Sequence, residues 1–353
     1  MIKSRIHQFL PTISPDDAIG NETLLIQKTL NDMGFESEIY AENIHHSLSG
    51  HAKNYLKYKD SKDQIIIYHH SIGSDLPEFL LSLGSKIIMI YHNITPPEFF
   101  EETNAQIASL LKLGQHQLGV LKDKVSYAVG DSEFNRLDLE KLGYKKTGVL
   151  PILLDMQKYH KQSTNELISE YGNSTNILYV GRIAPNKRVD ELIKIFSYYN
   201  ENINPNSHLF LVGRSNGITD KYHQKLLSMI DSTNLKNIHF DADADDNKLI
   251  KYYKLANFFT TMSIHEGFCV PLVESMLFKV PIIAYNSTAI PYTLGEGGIL
   301  VKDETCEEIA ELVDLIQNTQ QIKDDIINKQ NTRFNQIYNK NNQQLINDII
   351  NKV

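Results

Sequence analysis

An α/β fold of two Rossmann-like domains facing across a cleft is predicted by three features of the sequence. The 353 residues exceed what one hydrophobic core usually supports, so two domains are expected. Short apolar runs rich in Ile, Val, Phe and Tyr recur with segments of helical spacing between most of them, the rhythm of βαβ units. A polar stretch without apolar period, residues 155–176, divides these runs into two series and is the expected interdomain connection.

The first series lies at residues 6–10, 65–68, 87–91, 125–129 and 149–153. The second lies at 177–180, 209–212, 238–240, 258–262, 282–285 and 299–301. Each reads as a parallel sheet, giving expected domains 1–155 and 156–325. Residues 326–353 form a third, helical segment expected to pack back on the first domain. Across 318–353, the spacing of Ile337, Leu345 and Ile349 predicts a long helix or a pair. Ligands of open parallel sheets sit beyond the carboxyl ends of the strands, so the loops after the runs are where chemistry is sought.

Hydrophobic residues at 41% and charged residues at 22% suit a globular chain and leave no room for a long disordered tail. A net charge of −8 argues against a broad nucleic-acid surface. The opening Ile2-Lys3-Ser4-Arg5 is polar and basic, no run reaches membrane-spanning length, and only Cys269 and Cys306 could pair. A cytoplasmic protein is therefore expected, with any membrane contact peripheral at the inner face. The one amphipathic candidate, residues 107–125, sets Leu110, Leu111, Leu113, Leu118 and Leu121 beside Lys112, Lys122 and Lys124, and reads more simply as a helix packed on the first sheet.

Two motifs follow strand-like runs in the second half. After 258–262 comes Ile264-His265-Glu266-Gly267-Phe268-Cys269-Val270-Pro271-Leu272-Val273-Glu274. Gly267 suits a tight turn and Pro271 the start of a helix, whose amino end would form a site for an anion such as a diphosphate. Glu266 in the turn and Glu274 inside the helix would both reach a ligand's hydroxyls; alone, each would read as a solvated loop charge or a helix-end charge. After 177–180 comes Gly181-Arg182-Ile183-Ala184-Pro185-Asn186-Lys187-Arg188. Here Arg182 and Lys187 could hold the growing charge of a departing diphosphate without a metal, while Arg188 reads as a solvated turn residue.

These runs resemble glycosyltransferase family 4, whose members have the GT-B fold and a Gly-Arg…Lys segment followed by Glu-x7-Glu. The likeness extends over residues 176–301, including Phe210-Leu211-Val212-Gly213 and Val280-Pro281-Ile282-Ile283, and departs at Phe278-Lys279 and Tyr292. It implies a retaining hexosyl transfer from a UDP- or GDP-sugar to a saccharide or lipid-linked acceptor, with no cofactor and no divalent metal. Bacterial surface polysaccharide synthesis is the implied setting. Arg182 and Lys187 would contact the diphosphate, Glu266 the transferred sugar and Glu274 the ribose. Gly181, Gly213, Gly267, Phe268, Cys269 and Val270 would line the donor site. In the first half, His92 of Tyr91-His92-Asn93 stands where relatives carry a His near the reacting carbon; a lone strand-end His is otherwise a structural residue. The loop holding Asp16, Asp17 and Gly20 stands where relatives carry a Gly-rich acceptor or phosphate loop, of which only Gly20 remains; its acidic pair would bind acceptor hydroxyls or cap the helix, and capping is the simpler reading.

His45-His46 and His69-His70 do not read as metal sites, because neighbours on a strand point to opposite faces. Asp241-Ala242-Asp243-Ala244-Asp245 reads as helix capping or a loop beside the nucleobase, and Ser132-Glu133-Phe134-Asn135 is similar to a cleft segment of the family, with helix capping by Ser132 explaining it equally. Two other readings stay open: a non-catalytic nucleotide-sugar-binding subunit of a glycosyltransferase complex, or another GT-B enzyme such as a nucleotide-sugar epimerase or a phosphorylase.

Overall fold

The computed structural model describes residues 5–15, 17–160, 166–214, 220–233 and 235–353. The chain forms two compact units, one of Met1–Glu98, Ala105–Asp155 and Tyr338–Val353, the other of Phe99–Asn104 and Met156–Ile337.

The first unit carries strands β1 (Ile6–Ile13), β2 (Ile39–Ile44), β3 (Ala52–Asn54), β4 (Ile65–His70), β5 (Lys86–Tyr91), β6 (Tyr127–Gly130) and β7 (Thr147–Val149). They form one parallel sheet in the order β3-β2-β1-β4-β5-β6-β7. Helices α1 (Ala18–Asp32), α2 (Leu76–Leu81), α3 (Ala105–Leu121) and α4 (Glu133–Lys141) lie between the strands in sequence. Successive strands add outward from β1 on one side and from β4 on the other, so the topological switch, where such sheets bind ligands, lies between β1 and β4.

The second unit carries α5 (Glu166–Tyr171), β8 (Thr175–Val180), α6 (Val189–Asn202), β9 (Ser207–Val212), α7 (Asp220–Thr233), β10 (Ile238–Asp241), α8 (Asp246–Leu255), β11 (Phe258–Thr261), α9 (Val270–Leu277), β12 (Ile282–Tyr285), α10 (Ile290–Leu294), β13 (Ile299–Val301), α11 (Cys306–Asn318) and α12 (Gln320–Ile337). Its six parallel strands run β10-β9-β8-β11-β12-β13, and the switch lies between β8 and β11. Ile177 and Tyr179 pack into one core with α6, while Leu178 packs into the other with Leu272 and Met276 of α9. Burial on both faces is why these strands read as unbroken apolar runs.

The last helix, α13 (Asn342–Ile350), inserts Ile346 and Ile349 into the core formed by Ile26 and Leu30 of α1 with Ile67, Ile88 and Ile90. The C-terminal region is thus a pair of helices divided between the units, and residues 326–337 stay with the second. Two strands, β2 and β3, were not expected from the sequence. Conversely, the run at 149–153 is strand only to Val149; Leu150 and Leu153 are apolar because they fill the core beside α13. In α3, Ala108, Leu111, Gly114, Leu118 and Leu121 are buried, and a Cβ on Gly114 would come within 2.6 Å of Gly73 N. That face is used in packing. Among the described residues no helix is long and apolar enough to cross a membrane.

Candidate active site

In the second unit the two motifs meet at the carboxyl ends of β8 and β11. Gly181 and Gly213, which follow β8 and β9, have φ of 154° and 144°. A Cβ on Gly213 would lie 2.0 Å from Gly181 O, so only a glycine lets the two strand ends approach this closely. A turn at Pro185–Lys187 then carries Lys187 to Glu266, with Nζ and Oε1 2.6 Å apart and the side chains only 14% and 12% exposed. The backbone holds this geometry. Ile264 N donates to Asn186 O at 2.9 Å, Asn186 Nδ2 donates to the His265 carbonyl at 3.2 Å, and Glu266 N donates to Thr288 Oγ1 at 2.9 Å. Arg182 is exposed, and its guanidinium forms no ion pair among the described residues. Arg188 lies 3.4 Å from Glu191 and over the Tyr285 ring, in keeping with a turn residue.

The loop from Glu266 to α9 turns left-handed at Cys269, with φ of 71°, and not at Gly267. Pro271 stands in the first turn of α9, one place beyond the first helical residue. Phe268 and Cys269 are buried and Gly267 and Val270 half-buried; Phe268 O accepts from Thr293 Oγ1 at 2.6 Å. Burial pushes the Cys269 thiol well above its ordinary range, so it serves as an apolar wall. Glu274 is buried with both carboxylate oxygens engaged: Tyr159 OH donates to Oε1 at 2.6 Å and Tyr253 OH to Oε2 at 2.7 Å. Tyr253 stacks on Phe278 at 5.2 Å and Tyr159 meets the same ring edge-on at 6.0 Å. Sequence reasoning named neither tyrosine. The departure at Phe278 was their one trace, since a large ring there needs neighbours to cover it.

In the first unit, His92 follows β5 and is buried. Its Nδ1 lies 3.0 Å from Asp131 Oδ2 and 3.9 Å from Glu22 Oε2, and its Nε2 lies 2.9 Å from His69 Nδ1. Glu22, His69 and Asp131 were not singled out as site residues, because α1, β4 and the end of β6 supply them separately. The signal available was strand alternation, which sends His69 to this cluster and His70 to Tyr68 OH and Gly114 O on the other face. Burial raises the Glu22 carboxyl to about 8 against the opposing pull of His92. Burial opposes charge on His92, yet Asp131 and Glu22 raise it above the ordinary histidine range. Asp17 caps α1 by accepting from Gly20 N at 3.0 Å. A Cβ on Gly20 would meet Ser14 O at 2.7 Å, and Asp16 lies outside the described residues.

Glu22, His69 and His92 are the one grouping among the described residues whose possible ligand atoms lie within 4.8 Å of one another. The facing nitrogens of His69 and His92 share a hydrogen bond, which makes the cluster a hydrogen-bond network. Asp245 caps α8 through Lys248 N at 2.8 Å, and Asp241 accepts from Asp243 N at 3.1 Å and Tyr252 OH at 2.8 Å. Those acids are used in local structure. Ser132 caps α4 through Asn135 N at 3.3 Å.

Residues 162–333 match the family described as glycosyl transferases group 1. An uncharacterized 41.2 kDa protein in the cps region of Klebsiella pneumoniae is 26% identical over 166 residues, 45% of this chain and 40% of that protein. The O-antigen chain mannosyltransferase B of Escherichia coli is 26% identical over 133 residues, 38% of this chain and 34% of that one. The matched segments thus span less than half the length of these curated relatives. Among solved structures, Anabaena HepE in complex with UDP and glucose has a TM-score of 0.75 at 17% identity, covering 98% of both chains. An Escherichia coli trehalose-6-phosphate structure bound with UDP-2-fluoro glucose has a TM-score of 0.75 at 12% identity, covering 99% of this chain and 98% of that one. At such identities the likeness establishes the fold, which is GT-B with its two parallel sheets. The Gly-Arg…Lys and Glu-x7-Glu motifs, placed together at one sheet's switch point, both lie inside the segment, residues 162–333, that matches the group 1 glycosyl transferases.

Proposed function

We propose that the protein is a retaining, metal-independent hexosyltransferase that uses a UDP- or GDP-sugar donor and a saccharide or lipid-linked acceptor in polysaccharide synthesis. The observation that carries this reading is the Lys187–Glu266 pair, 2.6 Å apart at the β8 and β11 strand ends. An ammonium that can follow charge onto a leaving diphosphate stands beside a carboxylate that can follow positive charge onto the sugar. Arg182, without an ion pair among the described residues, is the second cation available to the diphosphate. The neighbour solved with UDP and glucose makes UDP-glucose the first donor to try, and the O-antigen mannosyltransferase relative supports including mannosyl donors in the panel.

The test incubates the full chain with UDP- and GDP-hexoses and saccharide acceptors in excess chelator, following nucleoside diphosphate release and the anomeric configuration of the product. Transfer with retained configuration is expected. Activity lost to chelator and restored by manganese would remove metal independence. Donor binding without any transfer would favour the non-catalytic subunit, and isomerised donor would favour an epimerase.

A further inference from the structure

The hydrogen bonds around His92 fix where its protons are. His69 Nε2 faces Gln8 Oε1 at 3.0 Å, and the Gln8 amide is oriented because its Nε2 donates to Thr23 O at 3.0 Å. An amide oxygen only accepts, so His69 Nε2 bears the hydrogen. A neutral His69 then has a bare Nδ1, which can only accept. Its partner at 2.9 Å, His92 Nε2, must donate. Burial raises the Asp131 carboxyl while the adjacent His92 pulls it back toward the ionised form; as a carboxylate at 3.0 Å it only accepts, so His92 Nδ1 donates too. Placing the charge on His69 instead would set the cation beside an amide oxygen and leave Asp131 facing a neutral ring.

We propose that Asp131, His92 and His69 form a proton-locked chain in which the His92 ring is a buried imidazolium with both N–H groups committed inside the unit. His92 is then a positioning residue for the loop it opens, and its ring is not the group that takes a proton from an acceptor hydroxyl. The charged and titratable groups around the ring agree. Asp131, Glu22 from α1 and Asp17 at the α1 cap favour the cation, while His69 and His70 from β4 and burial itself oppose it. One positive charge is balanced by Asp131. Burial raises the Glu22 carboxyl, whose Oε2, like Asp131 Oδ1, has no hydrogen-bond partner among the described residues and stands 3.9 Å from His92 Nδ1.

What the lock holds is a left-handed main chain. Asn93 is left-handed at φ 70°, its Nδ2 donates to Asn135 Oδ1 at 2.7 Å, and Asn135 Nδ2 donates to the Tyr91 carbonyl at 3.2 Å. Among non-glycine residues asparagine tolerates that conformation best, and here both amide contacts hold it. The backbone after β5 is therefore held by the Asn93–Asn135 amide pair and by the hydrogen-bonded His92 ring that precedes it. The proton assignment stands on the hydrogen bonds of this unit; only the ring's exclusion from acceptor deprotonation rests on the transfer reading.

The test is nitrogen-15 NMR of the full chain labelled at histidine, with His92 and His69 identified by their mutual hydrogen bond and by loss of signals in H69Q. Near pH 6.5, about the ordinary histidine midpoint, His92 should show two protonated nitrogens and His69 one. Asp131→Asn should lower the His92 midpoint by about one unit or more, the scale for losing an adjacent opposite charge. A bare nitrogen on His92 at that pH overturns the proposal. So does displacement of its ring hydrogens by added zinc or manganese, which would make the cluster a metal site. If Asp131→Asn does not fold, the unmodified protein's spectrum decides alone, and it does so whether or not sugar transfer is detected.

Discussion

On the proposed transfer, single side chains would divide the donor chemistry into separable parts. Lys187→Ala and Arg182→Ala should each lower turnover by roughly a hundredfold, the scale for removing one preorganised donor to developing charge. Steady-state rates with the preferred donor measure this, and near-normal turnover in both variants would rule the assignment out. The two glutamates should fail differently. Glu266 touches Lys187 at 2.6 Å, so Glu266→Gln should reduce turnover while leaving free nucleotide affinity nearly unchanged. Glu274→Gln should weaken donor and free nucleotide alike, since ribose belongs to both. The two tyrosines add a condition that the motif alone does not contain, because a ribose reaching Glu274 meets a carboxylate whose two oxygens each already accept from a tyrosine hydroxyl. Tyr159→Phe removes the hydrogen bond to Oε1 and should tighten nucleotide binding by up to roughly tenfold, within the usual strength of a bond to a charged group. Calorimetry reads the result; weaker binding would mean that Tyr159 supports the ribose and does not compete with it.

At the level of elements, the glycine contact between the ends of β8 and β9 sets how closely the motif loops approach. Gly213→Ala forces a methyl against Gly181 O at 2.0 Å and keeps a left-handed φ of 144°, so a loss of about 2 kcal/mol or more is expected from the urea midpoint. An unchanged midpoint would show that the strand ends can part freely. The same elements explain what the sequence discloses. Strands buried on both faces, such as β4, β5, β8 and β9, are legible because nothing polar interrupts them. β2 was not legible because Glu42 and Asn43 interrupt its apolar residues, nor was β3, which is three residues long. The Lys187 and Glu266 loops were legible because each motif is local and follows a strand. Tyr159 and Tyr253 were not: they lie 115 and 21 residues from Glu274 and converge only on folding. For the His92 cluster the same holds, with Glu22, His69 and Asp131 drawn from three elements.

Across the whole molecule, buried charge makes stability depend on pH in a direction that can be worked out. Carboxylates held low, such as those of Asp190 and Asp241, are ionised in both folded and unfolded chains above about pH 6 and add no slope there. Histidines held low by burial, including His69, His70 and His265, leave the unfolded chain binding more protons, so stability rises with pH until they are neutral in both states, by about pH 7.5. Glu22 and His92 have the opposite sign. The Glu22 carboxyl is raised to about 8 and the His92 ring is raised as well, so at alkaline pH the folded chain binds more protons than the unfolded one. Their contribution falls as pH rises through those values. Stability should therefore reach a maximum near neutrality, once the buried histidines are neutral in both states, and decline from there to about pH 8, above which Glu22 is ionised in both folded and unfolded chains. Glu22→Gln separates the two causes. The amide oxygen can still accept from Leu153 N, at 2.8 Å in the present structure, but the side chain no longer titrates. Urea unfolding at a series of pH values should show the variant losing less stability than the parent across that alkaline interval, with His92 supplying the remaining slope. Parallel curves for the two proteins would mean that Glu22 is already ionised at neutral pH, and the negative charge beside His92 would then be shared by both carboxylates.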